Sequence, residues 1–115
     1  MTRMTGAAGA SGATGATGAA MRVIEVSGSA AGGVRAHLGQ CARTLSAAGH
    51  GVVVAAPTAV LDGLDTGAAR RAPLEIGPRP SPSDRLVVRR LATLARGADV
   101  VHAHGLRAEV TLPAA

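Results

Sequence analysis

The chain has 115 residues, which suffices for one small domain but not for two. Its formal net charge is +5, all of its 12 basic residues are arginine, and it has no Phe, Tyr or Trp. Single-stranded nucleic acids are held largely by stacking on aromatic side chains, so this composition argues against a nucleic-acid partner. The charge still favours anionic partners, and it is compatible with peripheral contact with an acidic membrane surface.

Cys41 is the single cysteine, which excludes an internal disulfide and suits the cytoplasm, our predicted location. It falls on the apolar side of a predicted helix, a position that favours a buried small hydrophobic residue over a reactive thiol. No stretch approaches the roughly 20 apolar residues that a membrane-spanning helix requires. We therefore predict no transmembrane segment.

The amino-terminal segment differs in character from the rest of the chain. Residues 5–20 consist only of Gly, Ala, Ser and Thr. Such a segment buries too little apolar surface to offset the entropy lost on ordering. We predict a disordered leader over residues 1–20 and a folded domain over residues 21–115, with Met21 as a candidate translation start.

From Arg22 onward, β-branched runs alternate with helical patterns. RVIEVS predicts a strand, the apolar stripe from Val34 to Ala48 predicts a helix, and VVVAAP predicts a second strand. After a less regular connection, PLEIG predicts a third strand, residues 84–98 a second helix, and DVVHAHG a fourth strand. This order is typical of α/β proteins and predicts an incomplete doubly wound, Rossmann-like parallel sheet of about four strands in the order 3-2-1-4, with crossover helices.

The predicted strand order determines where a ligand would bind. The first and fourth strands become neighbours, and their carboxyl ends meet at the topological switch point of the sheet. SGSAAGGV, residues 27–34, follows the first strand, and His104 ends the fourth. We therefore expect the glycine-rich turn and His104 to face the same crevice.

The glycine-rich turn has the features of a phosphate-binding loop, because its glycines precede a helix amino terminus. It lacks the G-x-G-x-x-G spacing and the acidic residue about 20 positions later that bind a dinucleotide. It also lacks the Lys-Ser/Thr pair of a nucleotide hydrolase, since Val34 and Arg35 follow its last glycine. A turn without any ligand remains the alternative, although Arg35 opposes the helix dipole there and a bound anion would relieve that penalty.

His102 and His104 alternate along the fourth strand and should point to one face of the sheet. Such a pair can bind a metal, but no third ligand stands at a telling spacing, so we predict no metal and no cofactor. We assign His102 to packing and prefer His104 as the functional residue. Glu25 is harder to place: either it occupies an exposed position near a sheet edge, or the predicted strand phase is wrong.

Two segments together resemble a known family. MRVIEVSGSAAGGVRAHLGQCARTLSAAGHGVVVAAP and, later, GADVVHAHGLRA are similar to the amino-terminal domain of family 4 glycosyltransferases, which have the GT-B fold. The shared features are a short strand, a GGV turn, a helix ending in Gly-His, a valine-rich strand and a D-V-V-H-x-H-G strand. The order and spacing agree over residues 21–108.

The resemblance implies a retaining glycosyltransferase that moves a sugar from a nucleotide-sugar donor to an unknown acceptor without a metal. By position, Gly32 and Gly33 would approach the donor diphosphate and the transferred sugar. His104 would be the catalytic residue lining the cleft, and Arg107 would contact acceptor or phosphate.

The chain also departs from the family pattern. It lacks the carboxyl-terminal domain, with its pair of glutamates, that holds most of the nucleotide in the family. We therefore expect a fragment, inactive alone, with the fourth strand exposed at a sheet edge. The alternative function is a small non-catalytic α/β module that binds a phosphorylated metabolite or a partner protein.

Overall fold

The computed structural model describes residues 2–4, 19–28, 32–77 and 79–105. The strands are β1 (Thr2–Met4), β2 (Arg22–Ser27), β3 (Gly51–Ala56), β4 (Arg70–Pro73) and β5 (Val100–His104). The helices are α1 (Gly32–Ala47), α2 (Thr58–Leu61) and α3 (Asp84–Ala95). No helix among the described residues combines the length and the apolar character needed to cross a membrane.

The strands form one sheet in the order β1-β5-β2-β3-β4. β5, β2, β3 and β4 are mutually parallel. They correspond in chain order to the four predicted strands, so the expected order 3-2-1-4 is confirmed. The register between β2 and β5 pairs Glu25 with His102 and Ser27 with His104, which puts these four side chains on one face at the carboxyl ends of the strands.

Helices cover both faces of the sheet. α1 and α2 pack on one face, where Leu38, Val54 and Leu61 belong to one apolar cluster. α3 packs on the other, where Leu91 contacts a second cluster that includes Val26. Aliphatic side chains thus fill both layers, as a chain without aromatic residues requires.

The third strand lies earlier in the chain than the PLEIG prediction placed it. β4 occupies Arg70–Pro73, and only the amide of Leu74 continues the bonding, donating to Ala56 O at 2.8 Å. Ile76 N then donates to Leu74 O, which turns the backbone away from β3. Leu74 and Ile76 are nevertheless buried, so the alternation in PLEIG reflects true burial although its backbone leaves the sheet.

The buried stripe of α1 overlaps the predicted one at Leu38 and Leu45 but is rotated towards Gly39 and Ala42. Its buried residues are Leu38, Gly39 and Ala42, whereas Val34 and Cys41 of the predicted stripe are only half-buried. Gly39 explains the shift, since a Cβ there would lie 2.8 Å from Leu64 Cδ1. The missing side chain lets the α2–β4 connection, residues 62–69, pack directly against the backbone of α1.

The outer edge of β5 is covered, in contrast to the expectation of an exposed fourth strand. β1 pairs with it antiparallel, and Thr2, Arg3 and Met4 lie opposite His102, Val101 and Val100. Residues 2–4 fall within the predicted leader, whereas residues 5–18 lie outside the described part of the chain. This short strand shields backbone groups that would otherwise be open to pairing with another chain.

Removing residues 1–20 should therefore uncover β5. We expect the shorter chain, beginning at Met21, to self-associate and to lose stability, because an unpaired edge strand is a template for intermolecular pairing. Light scattering and thermal unfolding of both chains at matched concentrations would measure this effect. As a control, a chain in which an unrelated Gly/Ser leader replaces residues 1–20 should behave like the truncated chain. If the full, truncated and control chains show equal association and stability, β1 does not have the role assigned to it.

Candidate functional site

A cleft of about 350 Å³ opens at the carboxyl ends of β2 and β5. It is lined by Gly33, Val34, His37, His102, His104 and Gly105. Gly33 opens α1 and His104 ends β5, so the two sequence candidates from opposite ends of the domain line one cavity. Its size lies at the small end of the range for small-molecule sites.

Gly32 and Gly33 form the start of α1 and are exposed. A Cβ built on either glycine would meet no heavy atom within 4 Å, and neither residue has a positive φ. Packing and backbone conformation thus do not require glycine at these two positions. The open space above them is what backbone N–H groups need if they are to approach an anion.

Arg35 has a different role from the one its position suggested. Its Nε donates to Val60 O at 2.9 Å, and its terminal nitrogen donates to the carbonyl of Asp62. The guanidinium is thereby held at the carboxyl end of α2. The sequence argument that a bound anion compensates Arg35 therefore loses its basis, since backbone carbonyls already do so.

Glu25 lies at the centre of the site. It does not occupy the exposed position near a sheet edge that one interpretation of the sequence gave it. Its side chain is fully buried on the central strand β2. Its Oε1 lies 3.0 Å from Nδ1 of His102 and 2.8 Å from Nε2 of His104. A carboxylate in the sheet interior thus links the two histidines of β5.

The two imidazoles converge on the same carboxylate oxygen. Their ring centroids are 4.2 Å apart, and each nitrogen that bonds Oε1 must carry a proton when the histidine is neutral. Oε2 of Glu25 is buried and has no hydrogen-bond partner among the described residues. A buried, unsatisfied carboxylate oxygen is costly, and this atom retains the capacity to accept a hydrogen bond or to bind a cation.

α1 adds two side chains to the cluster from above the sheet. Sγ of Cys41 lies 3.5 Å from Nε2 of His37, one helical turn earlier. The His37 ring is 5.4 Å from that of His104, in an edge-to-face arrangement. Cys41 is therefore half-buried beside a polar side chain, whereas its helix position predicted a buried apolar environment.

The environment shifts two ionisation equilibria in the cluster. Burial lowers the pKa of His102, and this effect outweighs the attraction of its proton to the Glu25 carboxylate. Burial, followed by the negative charge of Glu25, raises the pKa of the Cys41 thiol. Both shifts favour uncharged side chains around one buried carboxyl group.

The sequence candidates are thus only partly brought together. Gly33 and His104 share the cleft, His102 lines it as well and contacts Glu25, and Arg107 lies outside the described residues. Glu25 and His37 were missed as members of the site. The sequence did offer one indication of Glu25, a glutamate inside a β-branched strand that is predicted to neighbour the H-x-H strand. The register of the parallel sheet places Glu25 opposite His102.

Comparison with known proteins finds no matching family model, no matching curated protein and no matching solved structure.

Proposed function

We propose that this chain is the amino-terminal Rossmann-like domain of a retaining glycosyltransferase, and that its cleft contacts the diphosphate and the transferred sugar of a nucleotide-sugar donor. The observation that carries the proposal is that Gly33 and His104 line the same cleft at the switch point of the sheet. These are the positions at which the sequence resembles family 4 glycosyltransferases. The cytoplasm is the location we propose for this activity.

The start of α1 supports the anion-binding part of the proposal. Among the described residues, no atom lies within 4 Å of a Cβ built on Gly32 or Gly33, and the first turn contains no acidic residue to neutralise the helix dipole. Free backbone N–H groups and the positive end of the dipole attract a diphosphate. Because Arg35 is occupied at α2, the attraction would come from the backbone rather than from a guanidinium.

His104 supports the sugar-binding part. The neutral tautomer that donates from Nε2 to Glu25 has its lone pair on Nδ1. Glu25 thereby fixes both the tautomer and the ring orientation, as the third member of a catalytic triad does for its histidine. A histidine held in this way offers a hydrogen-bond acceptor to a sugar hydroxyl at the cleft.

Titration of the full chain with UDP- and GDP-sugars, followed by amide NMR, tests the proposal. We expect the amide signals of Gly32, Gly33 and His104 to shift together. Binding should be weak, with a dissociation constant of about 1 mM, because the family's second domain holds most of the nucleotide. Absence of shifts in a folded sample would contradict the proposal. Equal shifts with a simple sugar phosphate would instead favour the alternative, a non-catalytic module for phosphorylated metabolites.

Gly33→Ala supplies the discriminating variant. The methyl group enters open space, so the fold should be retained, but it obstructs the approach of a diphosphate to the helix amino terminus. We expect donor affinity to fall about tenfold or more, the effect of losing one charge-assisted hydrogen bond. Gly51→Ala is the matched control, because its new Cβ would lie 4.0 Å from Met21 O at the far end of the sheet.

A further inference from the structure

We infer that Glu25, Cys41, His102 and His104 form a binding site for a divalent transition-metal ion of the zinc type beneath the cleft. One potential ligand atom from each residue lies within 4.8 Å of those from the others. This inference departs from the metal-free site expected from the family resemblance. It does not rest on the proposed sugar donor, and it gives His104 a different use, because coordination would replace the hydrogen bond from Nε2 to Glu25 on which the sugar contact rests.

The donor set selects the class of metal. Two imidazoles, one thiolate and one carboxylate are typical ligands of Zn²⁺ and Co²⁺, whereas Mg²⁺ and Ca²⁺ prefer oxygen ligands only. Bond lengths of about 2.0 to 2.3 Å at a tetrahedral ion separate the ligand atoms by about 3.3 to 3.8 Å. The widest pair in the cluster would therefore have to close by about 1 Å, while the nitrogens of His102 and His104, now 3.0 and 2.8 Å from Glu25 Oε1, would move slightly apart from it.

The unpartnered oxygen of Glu25 supports the site independently of the donor types. Glu25 is fully buried, and within the described part of the chain nothing bonds its Oε2. A carboxylate in the interior is stabilised by a cation more effectively than by two neutral imidazoles. A bound divalent ion would supply the missing positive charge.

The charges of the metal-bound state balance. Binding releases the thiol proton of Cys41 to solvent, and the thiolate together with the Glu25 carboxylate offsets the two positive charges of the ion. The histidines must turn lone pairs towards the metal, so their hydrogen bonds to Oε1 are exchanged for coordination. The three ligand-bearing elements are β2, β5 and α1, which means that the ion would also tie α1 to the sheet.

Titration of the chelator-treated full chain with Co²⁺ tests the inference. We expect one equivalent to bind with a thiolate-to-cobalt charge-transfer band and visible d–d bands of tetrahedral strength, and Zn²⁺ to displace it. Cys41→Ser should abolish the charge-transfer band. His102→Gln and His104→Gln should each weaken binding by about 100-fold or more. Substituting residues that only support a metal ligand costs up to about 100-fold, and loss of the ligand itself should cost no less.

His50→Gln is the control, since His50 lies at the opposite end of the sheet, where its Nδ1 accepts a hydrogen bond from Met21 N. It should leave the cobalt affinity and spectrum unchanged. Circular dichroism of each variant without metal reports folding, and Cys41 and His102 are only half-buried, so at least these two variants remain informative. The inference is overturned if no stoichiometric binding occurs, if the bound ion lacks a thiolate band, or if His50→Gln weakens binding as much as His102→Gln.

Discussion

Glu25→Ala should lower the free energy of unfolding by about 3 kcal/mol, measured by chemical denaturation in the presence of a chelator. The substitution removes the shared acceptor of His102 and His104 and leaves a cavity beside two imidazoles. His104 is the more affected partner, because only 4% of its side chain is exposed, against 24% for His102. Against a typical stability of 5 to 15 kcal/mol, such a loss is large.

A double-mutant cycle separates the contact from the cavity. Glu25→Ala combined with His104→Ala should cost less than the sum of the single changes, with a coupling energy of about 1 to 3 kcal/mol. Glu25→Gln keeps the shape and one acceptor, so we expect a cost of about 1 kcal/mol. Additive single effects would show that Glu25 and His104 are neighbours without a stabilising interaction.

Gly39→Ala should lower the free energy of unfolding by about 1 to 3 kcal/mol, although alanine is the better helix former. The new Cβ would lie 2.8 Å from Leu64 Cδ1 and 3.0 Å from the backbone oxygen of Asp65. The backbone atom cannot move aside as a flexible side chain can. α1 would therefore separate from the α2–β4 connection.

Gly33→Ala is the matched comparison for Gly39→Ala, because both glycines lie in α1 and the new methyl group at residue 33 meets open space. We expect Gly33→Ala to leave stability unchanged or to raise it by up to about 1 kcal/mol. Thermal and urea unfolding of the two variants compare helix propensity with packing in one helix. Similar effects at both positions would contradict the close approach of α1 to Leu64.

The sequence predicts the order of the parallel strands well. Apolar periodicity can be read from short stretches of sequence, and the right-handed crossover rule applies to nearly all parallel strand connections. The sequence predicts less well where the buried stripe of a helix is centred. Leu38 belongs to both the predicted and the observed stripe, and the rotation away from Val34 and Cys41 follows from Gly39, whose contribution is the absence of a side chain. Contact with Leu64, 25 positions away in the chain, determines the packing.

In the candidate site too, some features follow from the sequence pattern and others only from contacts between distant residues. The cleft and His104 follow from strand order, whereas Glu25 becomes meaningful only through its register with His102. A buried carboxylate contradicts the usual rule that glutamate lies at the surface. Pattern-based prediction therefore fails here at Glu25, the residue with the most unusual environment in the site.

Arginine bonding to the α2–β4 connection has a consequence for how the domain responds to its surroundings. Arg35 donates to the carbonyls of Val60 and Asp62, Arg43 to that of Asp65, and Arg71 to those of Leu61 and Leu64. Guanidinium groups stay protonated at every physiological pH, and a carbonyl acceptor has no charge to titrate. These hydrogen bonds should thus persist when the pH falls, and they should keep α1 attached to the α2–β4 connection.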